Sequence, residues 1–198
     1  MLREMTSQNA SQSTSPLKVL GICGSLRKKS YNRALLQAAA ELLPDGMELS
    51  QCDLHDIPLF NQDVLDAGYP EPVRIFRERI AAADVLLVAS PEYNYSISGV
   101  LKNAIDWASR PPNPPLNDKP LGILGASPGM LGTVRGQMAL RQVCLFTNMI
   151  PMNKPEFFLS HAKDKFNEEG RLTDEETRKK LRDYLVALST WAQRLRKQ

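Results

Sequence analysis

The amino-acid sequence predicts one three-layer α/β domain, a five-stranded parallel sheet of strand order 2-1-3-4-5 with helices on both faces. Two observations carry that expectation. Several short apolar runs have no clear polar face, as strands do when a sheet is covered on both sides. These runs alternate with stretches of helical period, with no internal repeat and no second composition zone, so successive strands are joined by right-handed crossovers within one domain at 17–198.

The elements follow in order. "LKVLGIC" (17–23) is the first strand. "NRALLQAAAELL" (32–43) sets Leu35, Leu36, Ala39, Leu42 and Leu43 at helical spacing and stops at Pro44–Asp45–Gly46. "MELSQCDL" (47–54) is the second strand, and "EPVRIFRERIAAA" (71–83) places Val73, Phe76 and Ile80 on one helix face. "DVLLVAS" (84–90) is the third strand. "SGVLKNAIDWASR" (98–110) is a helix capped by Ser98 and halted before Pro111 and Pro112. "PLGILGAS" (120–127) is the fourth strand, and "VRGQMALRQVCLFTN" (134–148) the helix after it. "NKPEFFLS" (153–160) is the fifth strand, and Pro155 assigns it to an edge. A capping box, "TDEE" (173–176), opens a last helix running to about residue 196.

Composition narrows the function. The formal charge of +3, from 25 basic and 22 acidic residues, is too small to argue for nucleic acid, and no basic stripe with interleaved aromatics supports it. Cys23, Cys52 and Cys144 form no CxxC pair, which points to free thiols in a reducing, cytoplasmic compartment. His55 and His161 belong to no HExxH or Cys/His cluster, so no metal site is expected. No apolar run approaches the ~20 residues that span a bilayer. Residues 1–16, polar and without the apolar middle of a secretory signal, are expected to be a disordered N-terminal tail outside the domain.

In a sheet of this order, ligands sit beyond the carboxyl ends of the strands where strand order reverses, so the loops after strands one, three and four share a rim. The first loop, "GSLRKKSYNR", combines Gly24 for close backbone approach, the Ser25 and Ser30 hydroxyls, the Arg27 fork and the Asn32 amide, expected to cap the helix that starts there. Together these can hold a phosphate without metal. Spacing excludes a Walker loop, since Cys23 and Lys28 stand where glycines are needed, and also a GxGxxG fingerprint. A CX5R[ST] phosphatase loop starts well at Cys23 and ends with Ser30, but has Lys29 in place of its arginine. The second loop, "PEYNYSISG" (91–99), sets Tyr93 and Tyr95 around Asn94, so rings and backbone amides can face a flat aromatic ligand.

"GSLRKKSYN", "PEYNYSISGVLKNAIDW", "PLGILGASPGMLGTVRGQ" and "DLHDIPLFNQD" together resemble the NAD(P)H-dependent FMN reductase family, which includes quinone, chromate and azo-dye reductases of flavodoxin-like fold. The resemblance covers about residues 17–160. It implies that Ser25, Arg27, Ser30 and Asn32 hold the FMN phosphate. It also implies that Pro91, Glu92, Tyr93, Asn94, Tyr95 and Ser96 border the ring and ribityl chain, and that Ser127 and Gly129 close the other side. Pro128 stands where members usually have a small residue or Thr. The implied activity is a two-step exchange in which NAD(P)H reduces bound FMN and a quinone, chromate, azo compound or free flavin then takes the electrons, with no side chain as nucleophile or obligatory acid. The resemblance further implies a homodimer or homotetramer packed through the helices at 98–110 and 134–148, where Trp107 suits either a subunit contact or the core. Arg135 and Arg141 are candidates for NADPH phosphate or for a solvated face, and Lys102, Asp106 and Arg110 form an i,i+4 ladder. Two alternatives remain open at this level: a flavodoxin-type electron carrier without NAD(P)H activity, and a phosphatase using Cys23.

Overall fold

The computed structural model describes residues 15–196, so most of the expected N-terminal tail lies outside the described residues. The elements are β1 (Leu17–Cys23), α1 (Tyr31–Glu41), β2 (Met47–Cys52), α2 (Gln62–Asp66), α3 (Glu71–Ala82), β3 (Val85–Ala89), β4 (Glu92–Tyr93), β5 (Ser96–Ile97), α4 (Gly99–Ala108), β6 (Pro120–Ala126), α5 (Val134–Thr147), β7 (Ile150–Pro151), β8 (Phe158–Leu159), a 3-10 turn (Ala162–Asp164) and α6 (Glu175–Arg196). The main sheet runs β2-β1-β3-β6-β7 with β8 also on β6, and each of its pairs is parallel. This is the 2-1-3-4-5 order.

The two-residue alternation of each strand divides the core. Val19 and Cys23, Val85, Leu87 and Ala89, and Leu124 and Ala126 meet the buried faces of α1 and α6. Leu20 and Ile22, Leu86 and Val88, and Leu121 and Ile123 meet α3, α4 and α5. Both faces are thus apolar, which is why the runs lack a polar period. Trp107 is fully buried and its indole N–H donates to Pro58 O at 2.8 Å, so it fills the core and not a subunit contact. Helix starts also resolve. Ser30 and not Asn32 caps α1, taking Arg33 N. Asp174 and not Thr173 caps α6, its carboxylate accepting from Thr177 N at 3.0 Å while pairing with Lys165 at 2.8 Å. Among the described residues no helix is long and apolar enough to cross a membrane.

The fifth strand departs from expectation. Instead of one strand over 153–160, two fragments share the outer edge of β6: β7 pairs at Pro120 and Leu121, and β8 at Gly125 and Ala126. Pro155 has no N–H to give a ladder and holds Lys154 away from helical backbone, so the chain leaves the sheet between the fragments. That leaves Ile123, midway along β6, without a strand partner on this side. The Tyr184 hydroxyl from α6 takes the place of one. It accepts from Ile123 N at 2.7 Å and donates to Ile123 O at 3.1 Å. Tyr184 is 2% exposed, and burial pushes its phenol well above the ordinary range, keeping the proton on the donating oxygen.

Tyr184→Phe keeps the packing volume but strands one buried donor and one buried acceptor. It is expected to lower unfolding free energy by about 1–3 kcal/mol, read as a lower urea midpoint at unchanged slope. A loss below about 0.5 kcal/mol would show that Ile123 finds other partners.

Candidate functional site

The three expected loops leave the carboxyl ends of β1, β3 and β6, and hydrogen bonds tie them to one another and to the sheet. Gly24 N donates to Ala89 O at 2.8 Å, so the first loop departs against the end of β3. A Cβ on Gly24 would stand 2.7 Å from Ser90 Oγ, closer than real side chains approach, and a tight 3.2 Å from Ser90 Cα. The Asn32 side chain makes a two-way bond with Ala126, Nδ2 to the carbonyl at 3.0 Å and Oδ1 from the amide at 2.9 Å. Asn32 is thereby buried at the junction of α1 and β6, and its amide group holds the loop's helix to the sheet.

The first loop fits an anion. Among the described residues the amides of Ser25, Leu26, Lys28 and Lys29 have no hydrogen-bond acceptor in the chain, and Arg27 N reaches only Ser25 Oγ at 3.4 Å. The buried Ser25 and Ser30 hydroxyls stand at either end of the loop, and the first turn of α1 adds its free amides and partial positive charge. The Arg27, Lys28 and Lys29 side chains are exposed. Arg33 reaches the loop from behind. Its guanidinium donates to Ser25 O at 3.5 Å and to Asp53 Oδ2 at 3.1 Å, joining the first loop to the one after β2. Burial by itself would raise the Asp53 carboxyl, but the Arg33 charge and hydrogen bond override it and hold it below its ordinary value. Nothing in the sequence pairs these two residues, which lie 20 positions apart.

The second loop is a hairpin that the sequence reading did not foresee. β4 and β5 pair antiparallel around Asn94 and Tyr95, both left-handed at φ 51° and 66°. Two such central residues define the tight turn that hairpins prefer, usually with Gly second. A tyrosine there costs about 1–2 kcal/mol. Arg135 of α5 lies over the Tyr95 ring at 3.9 Å from its centroid. Glu92 Oε2 accepts from Gly136 N at 2.9 Å, where Thr133, itself left-handed at φ 73°, provides no side-chain cap for α5. Glu92 therefore fastens the hairpin to a helix start. Tyr93 and Tyr95 remain 51% and 66% exposed, enough surface to stack on a ligand.

A cleft of about 320 Å³ joins these parts, lined by Gly24 to Arg27 on one side and Tyr93, Ser98, Gly99 and Val100 on the other. Ser98 also caps α4 by accepting from Leu101 N. Pro91 is half-buried at the root of the hairpin, and Asn94 and Ser96 are exposed along it. Ser127 and Gly129 stand at the same rim but outside that lining. Ser127 N bonds Leu159 O, and Gly129 O accepts from His161 N, so the third loop is anchored to β8 and the turn beyond it. A larger concavity of about 550 Å³ lies between α6 and the 155–160 segment, and its cations Lys165 and Lys180 are paired with Asp174 and Glu176. The unpartnered Ser25 and Leu26 amides, the Arg27 guanidinium and the exposed Tyr93 ring belong to the smaller cleft, and these decide its chemistry. Arg141 is spent on Asn153 and Met152 O, and Lys102 pairs with Asp106 at 2.7 Å.

Cys23 does not fit a phosphatase. It is 3% exposed, its thiol lies against Ser25 O, and burial pushes it upward, whereas a nucleophilic cysteine needs the opposite shift.

The family model described as NADPH-dependent FMN reductase matches residues 17–164. An NAD(P)H-dependent FMN reductase of Pseudomonas aeruginosa is 54% identical over 180 residues, covering 91% of this chain and 97% of its own. An NAD(P)H:quinone oxidoreductase of Solanum tuberosum is 50% identical over 186 residues, covering 91% and 95%. Among solved structures, the flavoenzyme NAD(P)H:(acceptor) oxidoreductase FerB of Paracoccus denitrificans superimposes with a TM-score of 0.83 at 34% identity, covering 90% of this chain and 98% of its own. The matched span contains β1, β3, β6 and all three loops of the rim, and the chain belongs to the NADPH-dependent FMN reductase family.

Proposed function

We propose that this protein is an NAD(P)H-dependent FMN oxidoreductase acting on quinones and other small oxidants, among them chromate, azo compounds and free flavin. The observation that carries the reading is one cleft bordered by a loop of unpartnered amides and by an exposed tyrosine on a strained hairpin. The first suits a phosphate monoester and the second a flat ring. When bound, FMN supplies two-electron chemistry between a nicotinamide and an oxidant. The residues of the chain bind and orient. The Ser25–Ser30 loop and the start of α1 neutralise phosphate charge, with Arg27 offering two parallel donors. Asn32 acts through the backbone it holds. Pro91 and Glu92 set the hairpin, from which the Asn94 and Tyr95 amides, Ser96 and the two tyrosines border the ring. Ser127 and Gly129 limit the opposite side. An exposed rim leaves room for a nicotinamide and then for an acceptor. The names of the relatives above favour a reductase over a pure electron carrier.

A second copy of the chain is the proposed partner. On α5, Met138, Leu145 and Phe146 are 45%, 84% and 80% exposed, and Leu59 beside α4 is 84% exposed, large apolar side chains that a subunit contact would bury. We place a homodimer contact, extendable to a tetramer, on this α4–α5 side of a cytoplasmic enzyme.

Purified protein should be yellow, with bands near ~375 and ~450 nm that NADPH bleaches and a quinone restores. Arg27→Ala should weaken FMN retention by roughly tenfold or more, since a charge-assisted bond is worth about 1.5–3 kcal/mol. A colourless protein that neither binds FMN nor oxidises NADPH would end the proposal. Tyr95→Gly separates the two roles of that residue. Relief of the left-handed strain offsets the lost Arg135 stacking, so thermal unfolding should move little while FMN affinity drops about fivefold or more. Equal affinity in variant and wild type would remove Tyr95 from the ring site. For the dimer, sedimentation of Leu145→Glu/Phe146→Glu should report a monomer where wild type is dimeric or larger, with circular dichroism unchanged.

A further inference from the structure

Beside the cofactor cleft lies a second groove, of about 530 Å³, which shares Arg27 and Ser30 with the anion loop but whose lining at Lys163 and from Phe166 to Gly170 has no role above. It runs between the first loop and the turn at 167–170. We propose that this groove binds the adenosine 2′-phosphate end of NADPH and so distinguishes NADPH from NADH. The proposal rests on the reductase reading for its ligand.

Its chemistry has three parts. One wall carries Lys28 and Lys29 from the first loop, and Lys163 comes from the 3-10 turn. No ion pair among the described residues engages any of the three. A terminal phosphate monoester carries a charge of about −1.5 to −2 at neutral pH, and lysine ammonium groups with rotatable donors suit such a compact dianion. The floor is aromatic. Tyr31 and Phe166 pack with centroids 5.5 Å apart and planes 31° apart, an apolar base of the kind an adenine covers. The far wall is acidic, with Glu168 and Glu169, acceptors for an adenine amine or ribose hydroxyls. An acidic peptide would meet repulsion from those glutamates. A nucleotide presents anion and donor on one small molecule and matches both walls.

The groove is also built in advance. Phe166 pairs with Leu172 across a backbone bridge, Asn167 N donates to Arg171 O at 3.0 Å, and Gly170 N to Asn167 O at 3.0 Å. Lys165, two residues from Lys163, is fixed to Asp174. Arg27 lines both this groove and the cofactor cleft, so the two adjoin at the anion loop. A dinucleotide with its nicotinamide in the cleft can therefore extend its adenosine end over the loop. The volume lies within the range of small-molecule sites.

The test uses FMN-loaded wild type and the Lys163→Glu variant, which leaves the anion loop untouched, at low ionic strength, where exposed lysines are least screened. Calorimetry with adenosine 2′,5′-bisphosphate should show binding to wild type that weakens about tenfold or more in the variant, while 5′-AMP binds both alike. In steady state the KM for NADPH should rise about tenfold and that for NADH change less than twofold, with kcat unchanged for both. Equal KM shifts for the two coenzymes, or bisphosphate affinity unaltered by the substitution, overturns the assignment. Bisphosphate binding is read without turnover, so its absence in a protein that NADPH reduces defeats the groove assignment alone. Its presence, lost in the variant, upholds the groove even if no flavin were reduced.

Discussion

β6 has to satisfy backbone groups at positions where its neighbouring strands stop, and much of the rim follows from how it does so. A buried N–H or C=O without a partner costs about as much as a lost hydrogen bond. On the outer edge the chain leaves the sheet between β7 and β8, and Tyr184 serves both groups of Ile123. At the carboxyl end β6 extends past β3, and Asn32 serves both groups of Ala126. Two side chains from α6 and α1 thus replace missing ladder bonds. The second of them also fixes the helix that follows the anion loop relative to the loop that follows β6.

The site is built by similar indirect fastening. Arg33 grips Ser25 O from behind and is itself held by Asp53. Glu92 pins the hairpin to the start of α5, and Arg135 covers a tyrosine held in left-handed backbone. The buried thiols are all pushed upward by desolvation, away from nucleophilic character. Such an arrangement suits a reaction whose difficult chemistry belongs to a bound cofactor. In the proposed function the protein contributes donors around a phosphate and flat surfaces around a ring, and leaves an opening for two substrates in turn.

The central strands were legible because burial on both faces leaves a composition signal that needs no partner to be recognised. The runs at 17–23, 84–90 and 120–127 became β1, β3 and β6 within a residue or two. The fifth strand was misjudged because Pro155 disrupts a ladder by an amount that depends on which edge it faces. The hairpin escaped notice because "NY" lacks the glycine that usually marks such a turn, and its left-handed tyrosine is supported by Arg135, 40 residues away. The short helix α2 buries no residue and so left no apolar period to find. Caps were half legible: Ser98 acts as expected, while Ser30 and Asp174 displaced Asn32 and Thr173.

The amino-acid sequence by itself determined the layer architecture, the order of the strands and the residue types on three loops. Apolar periodicity and local turn chemistry act over a few residues and can be read in place. Tertiary structure alone decided which polar side chains remain free for a ligand. Asn32, Glu92, Arg33 and Arg141 look as available in the chain as Arg27, Lys28 and Lys29. Each becomes committed only when folding brings Ala126, Gly136, Asp53 or Asn153 within hydrogen-bond distance. A donor's availability depends on every acceptor that long-range packing places near it, and local sequence does not encode that distance.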